Sequence, residues 1–591
     1  MIDRTPTASG LDLRLGDFST IIDALDYAAK GVSGLNFYTA TGAISASLPY
    51  RALREEAMEL AKELAAFAPR NALIGLLAES SPAFVRLFFA CQYAGLVPVP
   101  MPMPTAMGGR ESFGHQIRQM ASTAEIFAMF APEKLVDMIG EAVGPVGIPY
   151  FDMADPKLNC GKSELRPHSA GDLCYIQYSS GSTNDPKGVI GTQATVTANC
   201  EAIIHHGLQV RENDRAVSWL PLYHDMGLIG FLIAPMMSQI SLDLMEPSSF
   251  ARRPITWLDI ISKNKGTLSY SPSFGFELCV RRWRDDREFD LSSWRAAGIG
   301  GDMVRSDALD AFAKTFKPHG FSEKSFVPSY GMAEATLAIS FAPLGQGARP
   351  DCIDNDRLRR SGEAIPASDI THTGSRRTFM LCGEVLPGHE LEVRDDHERA
   401  LGDRQVGRIC VRGPSVTPGY YRNEEATKTA FTEDGWLDTG DLGYSLNGQI
   451  VITGRSKDLI LSNGRNIWPQ DLEWAVEGAV SGRIGRTAAF PVNNEDGTDE
   501  IVILVECRSR NPENLTRIHA EATAAARSAA NTSVDVRLVP LSSLIVTSSG
   551  KISRARARQK YVGGGFENLN MMIFNPGSDG RKASGSIADA R

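Results

Sequence analysis

Apolar positions recur at helical spacing through Leu53, Ala57, Leu60, Ala61 and Leu64, with charged residues between them. The pattern predicts an amphipathic helix that stops before Pro69. Leu73–Ala78 then reads as a short buried strand. Ser81 followed by Pro82 is a helix start, because the hydroxyl can cap the end and proline lacks only an N–H that the first turn leaves unused. The helix Phe84–Ala94 ends at Gly95, and Leu96–Val99 is the next strand. Strand, helix and strand at this spacing make a βαβ unit, which implies a parallel sheet covered by helices.

The alternation continues with a strand at Leu173–Tyr178, a glycine-rich loop and a helix at Thr192–His206. Further strands are expected at Ala216–Leu220, Thr267–Ser271, Ala297–Ile299 and Ser325–Ser329. From about Leu381 to Gly454 the texture changes. Short strands (His389–Val393, Arg408–Arg412, Gln449–Thr453) alternate with Gly, Pro and Asp turns, as in a small β subdomain. After Gly454 come a helix at Pro469–Val480, a strand at Ile501–Glu506, a helix at Glu513–Ala530 and a strand at Val534–Val539. Gly563–Arg591, rich in Gly, Ser and Asn, reads as a flexible tail. The expected class is α/β. A large N-terminal domain of helix-covered sheets with a small β subdomain (381–454) spans residues 1–455, and a small α+β domain spans 456–562.

The chain has 591 residues, is 43% hydrophobic and 22% charged, and carries a formal net charge of −9. That length exceeds what one ordinary core serves, so at least two domains are expected. The apolar fraction excludes wholesale disorder, and the acidic balance argues against general nucleic-acid binding. Nine cysteines lie far apart, at 91, 160, 174, 200, 279, 352, 382, 410 and 507, with no CxxC pair. Zinc ribbons and thioredoxin-like chemistry have no support, and the pattern suits reduced thiols in a cytoplasmic protein. MIDRTPTASG lacks the apolar stretch of a signal peptide. The longest apolar run, Met226–Met237, contains Pro235 and two glycines. It falls short of the roughly 20 residues of a membrane span, so a soluble chain without a transmembrane segment is expected.

The strongest chemical signal is the run Tyr178 to Val189, YSSGSTNDPKGV. Small residues let backbone N–H groups approach an anion, the hydroxyls add donors, and Lys187 adds a point charge suited to phosphate. A plain surface turn would have the same composition. The loop is not a Walker A motif, because its Lys precedes the last Gly. Five more segments follow in order: LPLYHDMG from Leu220, YGMAEAT from Tyr330, WLDTGD from Trp436, GRSKDLI from Gly454 and SSGKI from Ser548.

Together the six resemble, in sequence order, the motifs of the acyl-adenylate-forming enzymes, the superfamily of acyl-CoA synthetases, luciferases and peptide-synthetase adenylation domains. The resemblance runs from about Leu53 to Lys560. It implies a reaction of a carboxylate with ATP and Mg²⁺ that yields acyl-AMP and pyrophosphate. By that resemblance Ser179, Ser180, Gly181, Ser182, Thr183 and Lys187 would cradle phosphates, and Glu334 would hold Mg²⁺. Thr336 would sit near the α-phosphate, and Tyr330, with Gly331 and Met332, would bind adenine. Asp441 and Arg455 would contact the ribose. Lys551 would bridge carboxylate and α-phosphate, His224 would lie near the acyl carboxylate, and Lys457 would be a hinge for a mobile C-terminal domain. Asp302, where the family more often has Glu, would stand near adenine. Taken singly, each of these residues also fits a turn, helix-face or loop role.

Three features resemble the fatty acyl-AMP ligase branch: the proline-rich exit from Leu96 to Pro104, the GRNIWPQDLE signature from Gly464 to Glu473, and a long polar insertion at 341–380. In that branch the insertion is understood to pack against the small domain and hinder thioesterification by CoA. The expected partners are therefore a fatty acid and an acyl carrier protein or polyketide synthase carrier domain. Ile467 and Trp468 depart from the usual signature. Met226, Ile229, Phe231, Phe274 and Phe276 are acyl-pocket candidates, each equally suited to the core. The basic run Lys551, Arg554, Arg556, Arg558, Lys560 is a candidate docking strip for an acidic carrier, or else a solvated helix end.

Overall fold

The computed structural model describes residues 3–104, 109–178, 186–285, 287–368, 376–462, 465–480, 482–493, 499–547, 551–570 and 573. The chain divides into two units. The first comprises Met1–Ser179, Lys187–Cys352 and Thr378–Thr453, and the second Ser180–Pro186, Ile353–Arg377 and Gly454–Arg591.

In the first unit the amphipathic helix runs over Tyr50–Phe67, with Leu53, Ala57, Ala61 and Leu64 buried. The next helix, Pro82–Ala94, starts as its sequence requires: Ser81 accepts from the Phe84 N–H, and Gly95 ends it at φ 69°. The flanking strands Leu73–Leu77 and Val97–Met101 pair in parallel, in a sheet completed by Ala128–Ala131 and Tyr150–Asp152. Val97–Met101 is an edge strand. That position tolerates Pro98 and Pro100, which have no N–H to give to a neighbour.

A second, 14-stranded sheet carries the candidate chemistry. Its parallel half includes Gly34–Tyr38, Ser241–Met245, Arg215–Ser218, Leu268–Ser271, Ala296–Ile299 and Phe326–Gly331. Antiparallel pairing takes over at Ala338–Phe341 and continues through Arg376–Val385, Gln449–Arg455, Leu437–Leu446, Gly407–Arg412 and Glu390–Arg394. The β-rich texture after Leu381 is thus an extension of the large sheet. It retains an apolar cluster of its own, including Ile339, Val393, Ile409 and Leu437. One element differs from expectation: Gly188–Thr192 is a strand antiparallel to Leu173–Tyr178. The helix after it covers Gln193–Ala202 and passes into a π-helical turn at Ile203–Gly207.

The second unit is built on the sheet Ile484–Asn493, Asp499–Cys507 and Asp535–Pro540, with the helices Pro469–Ala479 and Pro512–Ala530 over its apolar residues. Residues 353–377 belong to this unit. Their helix Asn355–Ser361 is capped by Asp354 and packs near the short strand Arg465–Ile467. Arg359 donates to Ala529 O at 2.9 Å. Asp471, within the GRNIWPQDLE signature, pairs with Arg359 at 3.4 Å and with Arg377 at 2.8 Å. Arg377 also stacks over Trp468, 4.5 Å from its ring centre. Part of the stretch expected as a loose tail from Gly563 is packed. Leu569 is buried in this unit's core, and Asn570 accepts from Leu538 N and donates to Val536 O.

All nine cysteines are free, seven of them buried, with Cys352 exposed. No helix of the described residues is long and apolar enough to cross a membrane.

Asp471 balances two guanidiniums that are only 7% exposed. Asp471→Ala leaves both without their carboxylate and is expected to cost about 3 kcal/mol, the scale for breaking a buried pair. Urea unfolding of the variant checks this, and an unchanged midpoint would show that residues 353–377 are held by other contacts.

Candidate functional site

Ser179 to Thr183 of the candidate phosphate loop lie outside the described residues. The hairpin that carries the loop's two ends is described, and Lys187 stands just before its second strand. The Lys187 Nζ lies 4.7 Å from the ring centre of Tyr420, a cation–π distance. The Tyr420 hydroxyl donates to Glu334 Oε1 at 2.9 Å. Burial and the Glu334 charge hold that phenol's pKa well above its usual value, so it stays a donor. Lys187, Tyr420 and Glu334 therefore form a row of cation, aromatic and carboxylate.

The chain from Ser415 to Tyr421 straps this row together. Tyr421 N donates to Gly188 O at 2.7 Å, and Thr417 Oγ1 donates to Ile190 O at 2.7 Å. On its other side Thr417 N donates to Glu334 O at 2.8 Å. One short segment thus fixes both the Lys187 strand and the Glu334 backbone.

Thr336 sits at φ 68°, ψ −55°, a strained γ-turn conformation for a β-branched residue. The turn closes with Leu337 N donating to Ala335 O at 2.8 Å. Buried hydrogen bonds hold the strain. Thr336 Oγ1 donates to Ser415 O at 2.8 Å, and Ser415 Oγ donates to Ala335 O at 3.1 Å. Asn199 Nδ2 donates to Ser415 Oγ at 3.1 Å and to Ala338 O at 2.8 Å, and its Oδ1 accepts from Ala338 N. His389 Nε2 lies 2.6 Å from Ser415 Oγ, and Nδ1 lies 3.2 Å from Pro387 O. Burial lowers the imidazole's pKa below its usual value. Gly413 makes room for the ring, since a side-chain carbon there would stand 2.4 Å from His389 Cδ2.

Tyr330 is buried, and its hydroxyl donates to Asp441 Oδ2 at 2.8 Å. The adenine and ribose candidates are therefore joined to each other. Gly331 serves a close approach: a side chain there would collide with Leu337 O. Met332 is partly buried against the same apolar cluster as Tyr330. Asp302 is exposed and accepts from Met303 N at 2.8 Å. Neighbouring Gly301 lies close to Met226, whose Cε would be 3.3 Å from a side-chain carbon at that glycine. His224 caps the short helix Asp225–Leu228 and contacts Asp225 through Nδ1. The preceding residue's carbonyl, Tyr223 O, accepts from Gln177 on the strand that leads into the phosphate loop. The structure thus brings the His224 turn to that strand and Met226 to the Asp302 turn.

The acyl-pocket candidates separate. Ile229 and Phe231 are buried, with Phe231 6.0 Å from Tyr270 between ring centres. Phe274 is 46% exposed and meets Trp219 edge-on. Phe276 is fully buried among Trp257, Trp294, Phe312 and Phe326. Two residues apart on one helix, Phe274 and Phe276 point to opposite sides. They do not line one pocket, and Phe276 is a core residue.

In the second unit Lys551 follows residues outside the description and is held by a turn in which Thr547 N donates to Lys551 O at 2.7 Å. The helix that follows, Arg554–Val562, is fastened by Arg554, which gives Glu473 two hydrogen bonds of 2.8 and 2.7 Å and Asp458 one of 2.8 Å. Arg455 and Lys457 are exposed, at the end of the strand Gln449–Arg455 and in the turn Ser456–Asp458. Much of the basic strip is already engaged: Arg554 is neutralised, and Lys560 donates to Ser543 O and lies over Phe566.

Sequence reasoning passed over Tyr420, Ser415, Asn199 and His389. The only local hint was the Pro-Gly-Tyr-Tyr run from Pro418, which reads as a turn.

A profile of the AMP-binding enzyme family matches residues 37–421. A Caulobacter vibrioides protein provisionally named an acyl-CoA synthetase is 46% identical over 567 residues, covering 95% of this chain and 98% of its own. The medium-chain-fatty-acid–acyl-carrier-protein ligase JamA of Moorena producens is 32% identical over 582 residues, covering 94% and 97%. A solved structure from work on fatty acyl-adenylate ligases of E. coli and L. pneumophila superposes with a TM-score of 0.89 at 38% identity, covering 93% of this chain and 99% of that one.

Ser415→Ala removes the hydroxyl that joins Asn199, His389 and Ala335. The expected cost is about 1–2 kcal/mol, the scale for losing one well-made buried hydrogen bond. Chemical unfolding followed by tryptophan fluorescence measures it, and an unaltered midpoint would mean that backbone contacts alone hold the turn.

Proposed function

The chain belongs to the AMP-binding enzyme family, and on that premise we propose that it activates a fatty acid as its adenylate. A carboxylate oxygen attacks the α-phosphorus of ATP, the bond from that phosphorus to the bridging oxygen of pyrophosphate breaks, and acyl-AMP remains. Two anions must be held together in line, so the protein has to supply fixed cations and donors. The row Lys187–Tyr420–Glu334 beside the strained Thr336 is the observation that carries this reading. Lys187 serves the phosphates. Thr336 stands at the α-phosphate, Tyr330 and Asp441 at the nucleoside, and His224 beside the acyl carboxylate. Lys551 supplies the cation that draws carboxylate and α-phosphate together.

A Mg²⁺ ion fits this donor set. Among the described residues no group of three or more His, Cys, Asp or Glu could hold a metal. Mg²⁺ is commonly bound by one or two carboxylates plus substrate phosphates, and Glu334 offers such a carboxylate. When bound, the ion would neutralise developing charge on the phosphates.

We further propose that the acyl group passes to the phosphopantetheine thiol of a carrier protein. The anchoring of residues 353–377 by Asp471 supports this acceptor over CoA. The provisional name of the Caulobacter relative favours the alternative, a fatty acyl-CoA ligase with the same first step. One assay separates them: fatty acid, ATP and protein, with and without CoA. Acyl-adenylate unaffected by CoA is expected, and abundant acyl-CoA would establish the alternative. Absence of pyrophosphate release with every fatty acid would leave a binding module.

Lys551→Ala is expected to lower adenylation about 10²–10³-fold, the scale for removing one donor to the transition state. ATP–pyrophosphate exchange reads it directly, and wild-type exchange in the variant would remove Lys551 from the mechanism.

A further inference from the structure

Apart from the residues above, the first unit holds a cavity of about 730 Å³ bordered by Arg252, Arg253, Arg281, Arg282, Arg284 and Arg287. The chain as a whole is acidic, at −9, so this concentration of guanidinium groups stands out against the background. Asp259, the acidic residue of the lining, is paired with Arg287 at 3.0 Å. Arg252 donates to Ser248 O at 3.2 Å. Among the described residues Arg253, Arg281, Arg282 and Arg284 form no ion pair.

Ordinary causes explain part of the cluster. Arg252, Arg281 and Arg282 lie in the last turns of the helices Pro247–Arg252 and Ser273–Arg282, where cations complement the carbonyl end. Arg253, the C-cap residue of the first of these helices, shares that reason, whereas Arg284 lies two residues beyond the end of the second. The walls are fixed. Trp283 packs against Phe289, Phe316 and His319 at 5.1–5.3 Å, and Thr256 Oγ1 donates to Ala40 O beside Thr41.

The groups suit a protein surface better than a small anion. All six arginines are exposed rather than converging in a buried pocket. The arginine fork pairs with carboxylates in two-point contacts, which lysine does not offer. The position is also apt. Ser273, at the start of the ten-residue helix, accepts from Arg305 N at 3.1 Å and donates to Met303 O, next to Asp302. Its other end, about 15 Å away at the usual rise per residue, reaches the cavity.

We propose that this cavity is the docking surface for an acidic protein face, that of the carrier domain in the reading above, on which the proposal rests. Arginines with no acidic partner make it the better candidate than the strip Lys551–Lys560, where Arg554 is already paired.

The test uses the full chain and a fluorescently labelled acidic acyl carrier protein bearing phosphopantetheine. Arg281→Glu with Arg284→Glu is expected to weaken binding about 10-fold or more at low salt, and wild-type affinity is expected to fall as salt rises toward ~0.5 M. ATP–pyrophosphate exchange is expected to stay at the wild-type rate. Carrier binding that ignores both substitutions, or weakening by Arg556→Glu instead, overturns the proposal. So does a carrier that fails to bind while free phosphopantetheine binds in an arginine-dependent way, which would make the cavity a small-anion site. Failure of wild-type exchange with every fatty acid is a separate result and falls on the adenylation reading alone.

Discussion

The geometry of the candidate site depends on one buried hydroxyl. Thr336 occupies a backbone conformation that a β-branched residue does not adopt unaided. Ser415 opposes that strain with its carbonyl and its side chain together. Its hydroxyl has one proton and two lone pairs. With His389 protonated on Nε2, Asn199 and His389 both donate to Ser415, and its own proton goes to Ala335 O. With the proton on Nδ1, the imidazole instead serves Pro387 O and draws the Ser415 proton to itself. The tautomer of a residue that touches no expected substrate group therefore bears on how firmly the turn is held.

The same segment joins motifs that are distant along the chain. The strap Ser415–Tyr421 hydrogen-bonds to the Lys187 hairpin on one side and to the Glu334 loop on the other. Tyr420 then links their side chains. The second unit uses its signature carboxylates in a parallel manner. Asp471 holds residues 353–377, and Glu473, two positions later, holds the helix that follows Lys551. These two carboxylates, which a motif comparison treats as identifiers, are structural anchors.

Where local pattern determines structure, the sequence was readable. The Ser81–Pro82 start, the Gly95 stop and the buried stripe from Leu53 to Leu64 appear as their chemistry requires. The strand Gly188–Thr192 was hidden because two glycines and a threonine in five residues read as loop, and only its partner across the hairpin makes it a strand. The Ser415 clamp was hidden for a different reason. Its members lie 26 residues (His389) and 216 residues (Asn199) away along the chain, and no periodicity links such positions. Phe274 and Phe276 were grouped by composition, although helical geometry alone sets them on opposite sides. At the far end, Leu569 and Asn570 follow a polar, glycine-rich stretch that masked their role in the second core.

The distribution of thiols has a chemical consequence. Burial raises the pKa of Cys91, Cys200 and Cys279 far enough that thiolate hardly forms, and Cys382 and Cys507 are each pushed up to about 12. Oxidants and alkylating reagents attack thiolates, so these sulfurs are inert while the fold persists. Cys352 is exposed and immediately precedes residues 353–377. Cys160 is half-buried, so Cys352 is the exposed thiol: a maleimide dye is steered to the border of that segment without any cysteine being engineered, and the native chain carries its own reporter position beside residues 353–377.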